Sequence, residues 1–274
     1  MSRNGQPGAA PFTQRTPRVA AARRLTRRTE RERAGRFLAE GANAVAAALA
    51  GHTVHELFVT ERAEQAHPEL IALARERGAR ISPVTEQAAA VLSETVTPQG
   101  IVAVCDLLDR PLQDVLSAGA RLVAVLVDVA DPGNAGTVIR VADAAGADAV
   151  ILTGDSVDPH NGKSVRASAG SLFHRPIARS RDTAATLSAC RAAGLRLLAA
   201  HGYAETPLDA LDATTPSAWI FGNEAHGLPA EVLHEADTAV RIPIYGDAES
   251  LNLATAAAVC LYTSAMAQRR SSGG

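Results

Sequence analysis

Short apolar runs alternate with amphipathic stretches along most of the chain. From about Thr29 a helical stripe is predicted, carrying Phe37, Leu38, Val45 and Leu49 and ending at Gly51. Residues 54–59 read as a strand, 68–77 as a helix opened by proline, 80–84 as a short strand, 86–92 as a helix and 101–107 as an apolar strand. Together they predict a small α/β unit over residues 30–108, followed by a linker at 109–120. A second unit opens with the continuous apolar run 122–127, the pattern of a parallel strand buried on both faces. Helix 135–145, strand 149–152, helices 164–172 and 183–193, and strand 195–200 follow. Strand 218–221, helix 229–235, strand 239–242 and helix 252–267 complete it. Such alternation predicts an α/β domain built on a mostly parallel sheet, spanning residues 121–274.

Composition adds an electrostatic division to this picture. The 274 residues are 47% hydrophobic but only 3% aromatic, so Ala, Val and Leu fill the core. Lys163 is the single lysine. Residues 1–36 hold ten Arg against two acidic residues, so within a net charge of −2 the remainder carries about −10. A flexible, basic, Gly- and Pro-rich arm is expected over residues 1–29, and on an acidic body it points to nucleic acid, with Arg23, Arg24, Arg27 and Arg28 as candidate phosphate contacts. Cys105, Cys190 and Cys260 form no Cys-x-x-Cys pair, so neither a disulfide framework nor a metal site is expected. No apolar run reaches the roughly 18 residues of a membrane span. A cytoplasmic protein with no membrane partner is the expectation.

Three stretches break the strand–helix rhythm, each where a strand ends, the place at which open parallel sheets bind ligands. The first is Asp128-Val-Ala-Asp-Pro-Gly-Asn-Ala-Gly-Thr-Val-Ile-Arg140, where Pro132-Gly133 turns the chain and Asn134 is expected to cap the next helix. The second is Ile220-Phe-Gly-Asn-Glu-Ala-His-Gly-Leu-Pro229, a loop of exposed backbone with one carboxylate and glycines that admit a ligand closely. Histidine is a residue type suited to general-base work, but His226, alone beside glycine, carries no assignment. The third is Arg241-Ile-Pro-Ile-Tyr-Gly-Asp-Ala-Glu-Ser-Leu-Asn252, which leads into the last helix.

In order and spacing, these segments resemble the three motifs of the SpoU/TrmH family of RNA ribose 2′-O-methyltransferases, within the SPOUT group. Arg166-Ala-Ser-Ala-Gly-Ser-Leu-Phe also resembles a family segment. Upstream, Phe37-Leu-Ala-Glu-Gly and Thr97-Pro-Gln-Gly-Ile101 are similar to the family's RNA-binding domain, itself similar to ribosomal protein L30e. The resemblance implies a C-terminal domain tied in a deep trefoil knot, S-adenosylmethionine (AdoMet) as cofactor, an RNA substrate and a homodimer. It implies a cofactor site from Ala199, Ala200, Phe221, Gly222, Asn223, Gly227, Ile242, Ile244, Ser250, Leu251 and Leu253. The catalytic set it implies is Asn134, Arg140, Glu224, Ser250 and Asn252, with Arg166 as a phosphate contact.

A ribose hydroxyl is a weak acid, and it must shed its proton as it attacks the methyl group. A guanidinium stays protonated in proteins, so holding phosphate and stabilising oxyanion charge is the easier role for Arg140 than acting as base. An L30e-like domain suits looped RNA, which favours 23S ribosomal RNA over transfer RNA. With Phe37 and Phe58 as its only aromatics, that domain is poorly equipped for extensive base stacking. A non-catalytic RNA-binding or ribosome-assembly protein on the same fold is the alternative from another class. A nicotinamide oxidoreductase is excluded by the absence of Gly-x-Gly-x-x-Gly after a strand, and a serine hydrolase by the absence of Gly-x-Ser-x-Gly.

Overall fold

The computed structural model describes residues 10–116 and 119–271. The chain divides into two compact units. One holds the described residues up to Leu107 together with Asp158–His174; the other holds Leu108–Val157 and Arg175 onward. Compactness thus assigns Asp158–His174 to the first unit although both sequence neighbours belong to the second, a division that linear spacing does not reveal.

In the first unit, strands β1 (Arg36–Glu40), β2 (Val54–Val59), β3 (Arg80–Pro83) and β4 (Ile101–Asp106) form a sheet in the order β1-β4-β2-β3. β4 runs antiparallel to β1 and β2, while β2 and β3 are parallel. The expected helical stripe through Phe37 and Leu38 is corrected here. The helix Arg28–Ala34 stops at Gly35, whose φ of +64° suits glycine, and β1 follows before the helix Ala42–Gly51. β1 pairs along its whole length with β4, and tertiary pairing overrides the local helical spacing. The flexible-arm reading of residues 1–29 is also corrected for residues 17–24, which form a helix opened by Pro17. Val19, Ala22 and Leu25 recur every third residue and pack with Leu38, Phe58, Ala88 and Leu92. Residues 1–9 of that arm lie outside the described residues.

In the second unit, strands β5 (Leu122–Val127), β6 (Ala149–Thr153), β7 (Ile177–Ser180), β8 (Arg196–Ala200), β9 (Thr206–Pro207), β10 (Ser217–Phe221) and β11 (Thr238–Arg241) form one sheet. Its order is β7-β6-β5-β10-β8-β11-β9, and every neighbouring pair is parallel. Both faces are covered, which is why β5 and β6 read as unbroken apolar runs. On one face Val123, Val125, Ile151, Leu197 and Ile220 meet Leu187, Cys190 and Val232 from the helices Thr183–Ala192 and Ala230–Glu235. On the other, the last helix, Leu253–Ser271, packs on the helix Pro132–Ala145 and on β5 and β10. There buried Trp219 donates its indole N–H to Ser264 Oγ at 2.9 Å. The expected linker 109–120 is corrected in part, because residues 112–115 form a short helix and Val115 and Leu116 join this core.

The chain lays β5, β6 and β7 out in one direction, then crosses back to place β8 and β10 on the other side of β5. Such a switch point opens a crevice at the carboxyl ends of the strands. The three irregular segments begin there, after β5, β10 and β11. Among the described residues no helix is long and apolar enough to cross a membrane.

Candidate active site

The segment after β5 is shaped by its own side chains. Asp131, not Asn134, caps the helix Pro132–Ala145, its Oδ1 accepting from Asn134 N at 2.9 Å. This corrects the expected cap: Pro132 at the first helical position places Asn134 at the third, where its side chain is not needed for capping. Asn134 instead links the other two segments. Its Nδ2 donates to Glu224 Oε1 at 3.0 Å, and its Oδ1 accepts from Asn252 Nδ2 at 3.0 Å. Asn252 in turn accepts from the backbone of Ala254 and Thr255, capping the last helix.

Glu224 is the most heavily engaged member. Beyond Asn134, its carboxylate accepts from Ala130 N at 3.0 Å and Asp131 N at 3.1 Å. Partial burial alone would raise its pKa, but the hydrogen bonds from Asn134, Ala130 and Asp131 outweigh burial and hold it below the usual carboxylate range. Its oxygens are occupied and it stays ionised, so it acts as a brace between loops, which is poor equipment for a general base. Asn223 adds a second tie, donating to Asp128 O at 2.7 Å while its Oδ1 accepts from Ala225 N and His226 N. Asn223 and Gly227 exchange backbone hydrogen bonds that close the loop. Gly222 is fixed by this closure, since a Cβ there would lie 2.6 Å from Leu228 N.

Beside this network lies a cavity of about 440 Å³, within the range of small-ligand sites. Ala200, Phe221, Gly222, Asn223, Gly227, Ile242, Ile244, Ser250, Leu251 and Leu253 line it, together with Asn134, Glu224 and Asn252. Of the expected cofactor residues, Ala199 alone is missing from the lining, being fully buried within β8. Sequence reasoning missed His201, Gly202, Val240, Glu249 and Ala256. The ends of β8 and β11 were the available signal for the first three. Gly227, at φ +69°, has nothing within 4 Å of a Cβ position, so a glycine here keeps the wall open.

Other expected residues fall elsewhere. Arg140 is exposed, forms no hydrogen bond or ion pair among the described residues, and does not line the cavity. Ser250 lines it without an intramolecular partner. In the first unit, Arg166 pairs with buried Glu40 at 3.1 Å, so part of its charge is committed inside the fold. Arg23, Arg24 and Arg27 are exposed without partners, and Arg28 pairs with Glu32 at 2.9 Å. Burial pushes the thiols of Cys190 and Cys260 up to about 12, so neither offers a thiolate nucleophile. No group of His, Cys, Asp and Glu among the described residues is arranged to hold a metal ion.

Residues 121–262 match the SpoU rRNA Methylase family, and residues 16–103 match an MRM3-like substrate binding domain. The chain is 35% identical to the Bacillus subtilis 23S rRNA (guanosine(2553)-2′-O)-methyltransferase RlmP, over 88% of this chain and 92% of that protein. It is 32% identical to a 23S rRNA (uridine(2479)-2′-O)-methyltransferase of Streptomyces viridochromogenes, over 90% and 93%. The crystal structure of an AdoMet-bound rRNA methyltransferase from Sinorhizobium meliloti superposes with a TM-score of 0.82 at 34% identity, covering 95% of this chain and 98% of that one. With its three motif segments joined through Asn134 and its cavity at the switch of a parallel sheet, the chain belongs to the SpoU rRNA methylase family.

Proposed function

We propose that the protein transfers a methyl group from AdoMet to a ribose 2′-hydroxyl of 23S ribosomal RNA. The observation that carries this reading is the chain of hydrogen bonds from Glu224 through Asn134 to Asn252, which joins all three motif segments along one cavity wall. The cavity fits the cofactor's chemistry. Phe221, Ile242, Ile244, Leu251 and Leu253 offer apolar surface to an adenine, Gly222 and Gly227 bare their backbone, and Glu249 presents a carboxylate suited to a cationic group. When bound, AdoMet supplies an electrophilic sulfonium methyl. The relatives named above act on guanosine and on uridine, so ribose rather than base is their common target.

The chain's own residues then have distinct tasks. Glu224 and Asn134 keep the loops after β5 and β10 in one arrangement, so that reacting groups meet at near-attack distance. Ser250, with its hydroxyl unpartnered in the chain, hydrogen-bonds ribose or cofactor. Arg140, exposed and unpaired, holds the phosphate beside the target and stabilises oxyanion charge as the hydroxyl proton passes to phosphate or water. Arg23, Arg24, Arg27 and Arg28 serve as phosphate contacts of the first unit, with Arg166.

Two finer features of the fold belong to this reading. A deep trefoil knot in the second unit is supported by the path of the last helix, which leaves the loop after β11 and returns across β5 and β10 to the helix Pro132–Ala145. An L30e-like first unit is supported by its four-stranded mixed sheet with helices. A homodimer is supported by Val259, Tyr262 and Met266, which are 37%, 41% and 50% exposed on one stripe of the last helix.

The test is methyl transfer from labelled AdoMet to total RNA, followed by sizing and nuclease mapping. Label in large ribosomal RNA that resists alkaline cleavage at one position is the expected result. Label in transfer RNA would overturn the choice of substrate. Bound cofactor without label in any RNA would favour a non-catalytic RNA-binding protein.

A further inference from the structure

The chain has three tyrosines, and two of them, Tyr203 and Tyr245, are 92% and 91% exposed. In a protein this poor in aromatics, both sit on loops that line the cavity. Tyr203 follows His201 and Gly202 after β8, and Tyr245 follows Ile244 after β11; these three neighbours line the wall, but neither tyrosine does. β8 and β11 are adjacent parallel strands, so their carboxyl ends deliver the two loops to the same edge of the sheet.

The loops are also tied together. Arg241 at the end of β11 donates from Nη1 to Ala204 O at 2.8 Å and to Glu205 O. His201 N donates to Val240 O at 2.9 Å, and β9 pairs Thr206 with Val240. His201 also packs edge-on against Tyr203, with ring centroids 5.9 Å apart. Tyr203 is therefore held by a stapled loop, with most of its ring surface still facing water.

The charge around these rings narrows what they can receive. Residues 199–207 and 242–252 contain no Lys or Arg, but they do contain Glu205, Asp247 and Glu249. Arg241, which lies between the two segments, commits Nη1 to the carbonyls of Ala204 and Glu205, so the free charge of the rim is mainly negative and is poorly suited to gripping an RNA backbone. An aromatic face beside carboxylates still accepts a nucleobase, because stacking needs no counter-charge and every base has a π-face.

We propose that Tyr203 and Tyr245 are nucleobase-stacking residues that position the single-stranded RNA segment at the mouth of the cavity. This rests on the RNA-methyltransferase reading above. Both are positioning residues, since they act on the base while the reaction occurs at the ribose. They tolerate different bases and confer affinity for an unpaired, splayed nucleotide over a paired one.

The experiment compares full-length wild type with Tyr203→Ala, Tyr245→Ala, Tyr203→Phe and Tyr245→Phe. It measures binding to fragmented ribosomal RNA by filter retention, AdoMet affinity by calorimetry, and kcat and KM for methyl transfer. Each alanine variant should weaken RNA binding and raise the RNA KM by about tenfold. AdoMet affinity should stay within about twofold, and phenylalanine should restore RNA binding. Unchanged RNA binding in the alanine variants overturns the proposal. So does a loss confined to AdoMet affinity, which would make the tyrosines a cofactor cover, or a changed oligomeric state, which would make them an interface. Failure of phenylalanine to rescue would replace stacking with a role for the hydroxyl. If wild type labels no RNA, the enzymatic reading fails separately, because filter retention still decides whether the rings contact RNA.

Discussion

Two carboxylates in this molecule do the same chemical work in opposite surroundings. Asp158, in the first unit, is buried to 4% exposure and accepts from Arg31 Nε at 2.9 Å and Nη2 at 2.7 Å, and from His160 N at 2.9 Å. Arg31, itself 3% exposed, spends its remaining nitrogen on the carbonyls of Leu25 and Thr26. Glu224, in the second unit, also collects three donors, but at the surface beside a cavity. Each lies below the ordinary carboxylate range because, for each, burial's upward push is outweighed. His160 and then Arg31 outweigh it at Asp158, and neutral amides do so at Glu224. A buried pair has no water to fall back on, so its loss falls on stability. An exposed brace can be resolvated, so its loss falls on geometry and therefore on rate.

The sharpest break of this symmetry is Asp158→Ala. It leaves the Arg31 guanidinium buried without a counter-charge, a change that costs about 3–5 kcal/mol in comparable settings. Urea unfolding should show that loss in the first unit. AdoMet affinity, which the proposed function assigns to cavity residues of the second unit, should remain within about twofold at temperatures where the protein stays folded. An unfolding midpoint equal to wild type would mean that Asp158 is not the anchor described.

Glu224→Gln should act the other way round. Glutamine keeps the size but replaces one acceptor oxygen with an amide donor facing Ala130 N, Asp131 N or Asn134 Nδ2. Methyl transfer should fall by about 100-fold, the order expected when reacting groups are misplaced by about 1 Å. Stability should change by less than about 1 kcal/mol, as for other exposed charge interactions. Initial rates alongside thermal unfolding separate the two, and a variant as destabilised as Asp158→Ala would erase the contrast.

Much of the second unit was legible in the sequence because buried parallel strands are written as local runs. The six residues Leu122–Val127 are all buried, and the glycine- and proline-marked breaks after β5, β10 and β11 coincide with the cavity. What was not legible depends on distance along the chain. Arg31 and Asp158 are 127 residues apart, and neither carries a local sign of its partner. β1 was hidden because Phe37, Leu38, Ala39 and Glu40 are all buried, so the polar–apolar alternation that marks a half-exposed strand is missing. The clue was Gly35 and Gly41, which bracket it at φ +64° and +96°. Buried Glu40 is served by Ser93, Thr95 and Arg166, groups brought in from two other stretches of sequence. The network through Asn134 was half legible: the motifs named its members, but helix start geometry decided which of Asp131 and Asn134 would cap.

That division of labour makes Asn252 a residue with two jobs, and Asn252→Ala should show both at reduced scale. Losing the cap of the last helix costs about 1 kcal/mol, and Asn134 loses the donor to its Oδ1 while keeping Glu224. Asn252→Asp retains a capping acceptor but offers Asn134 Oδ1 no donor when ionised. Stability should therefore recover in the aspartate variant while methyl transfer stays low. Recovery of both together would show that capping alone is what Asn252 contributes.

The smallest expected effect is a dependence on pH, and its sign follows from the direction of the shift at Glu224. A carboxylate whose pKa is lowered in the folded state contributes its full stabilisation while the unfolded chain is also ionised, above about pH 4 to 5. As pH falls further, the unfolded chain takes up a proton first, and the stabilisation fades as the folded pKa is crossed. The stability difference between wild type and Glu224→Gln should thus be constant from about pH 8 to about pH 5 and shrink below about pH 4. Solvent screening at this exposed position keeps the change small. Asp158, also lowered but buried, should keep its contribution further into acid than an ordinary aspartate. Denaturant midpoints taken at closely spaced acidic pH values decide the matter: a difference that widens on acidification would mean that the folded state binds the proton more tightly at Glu224, and that the three donors around it do not hold it ionised.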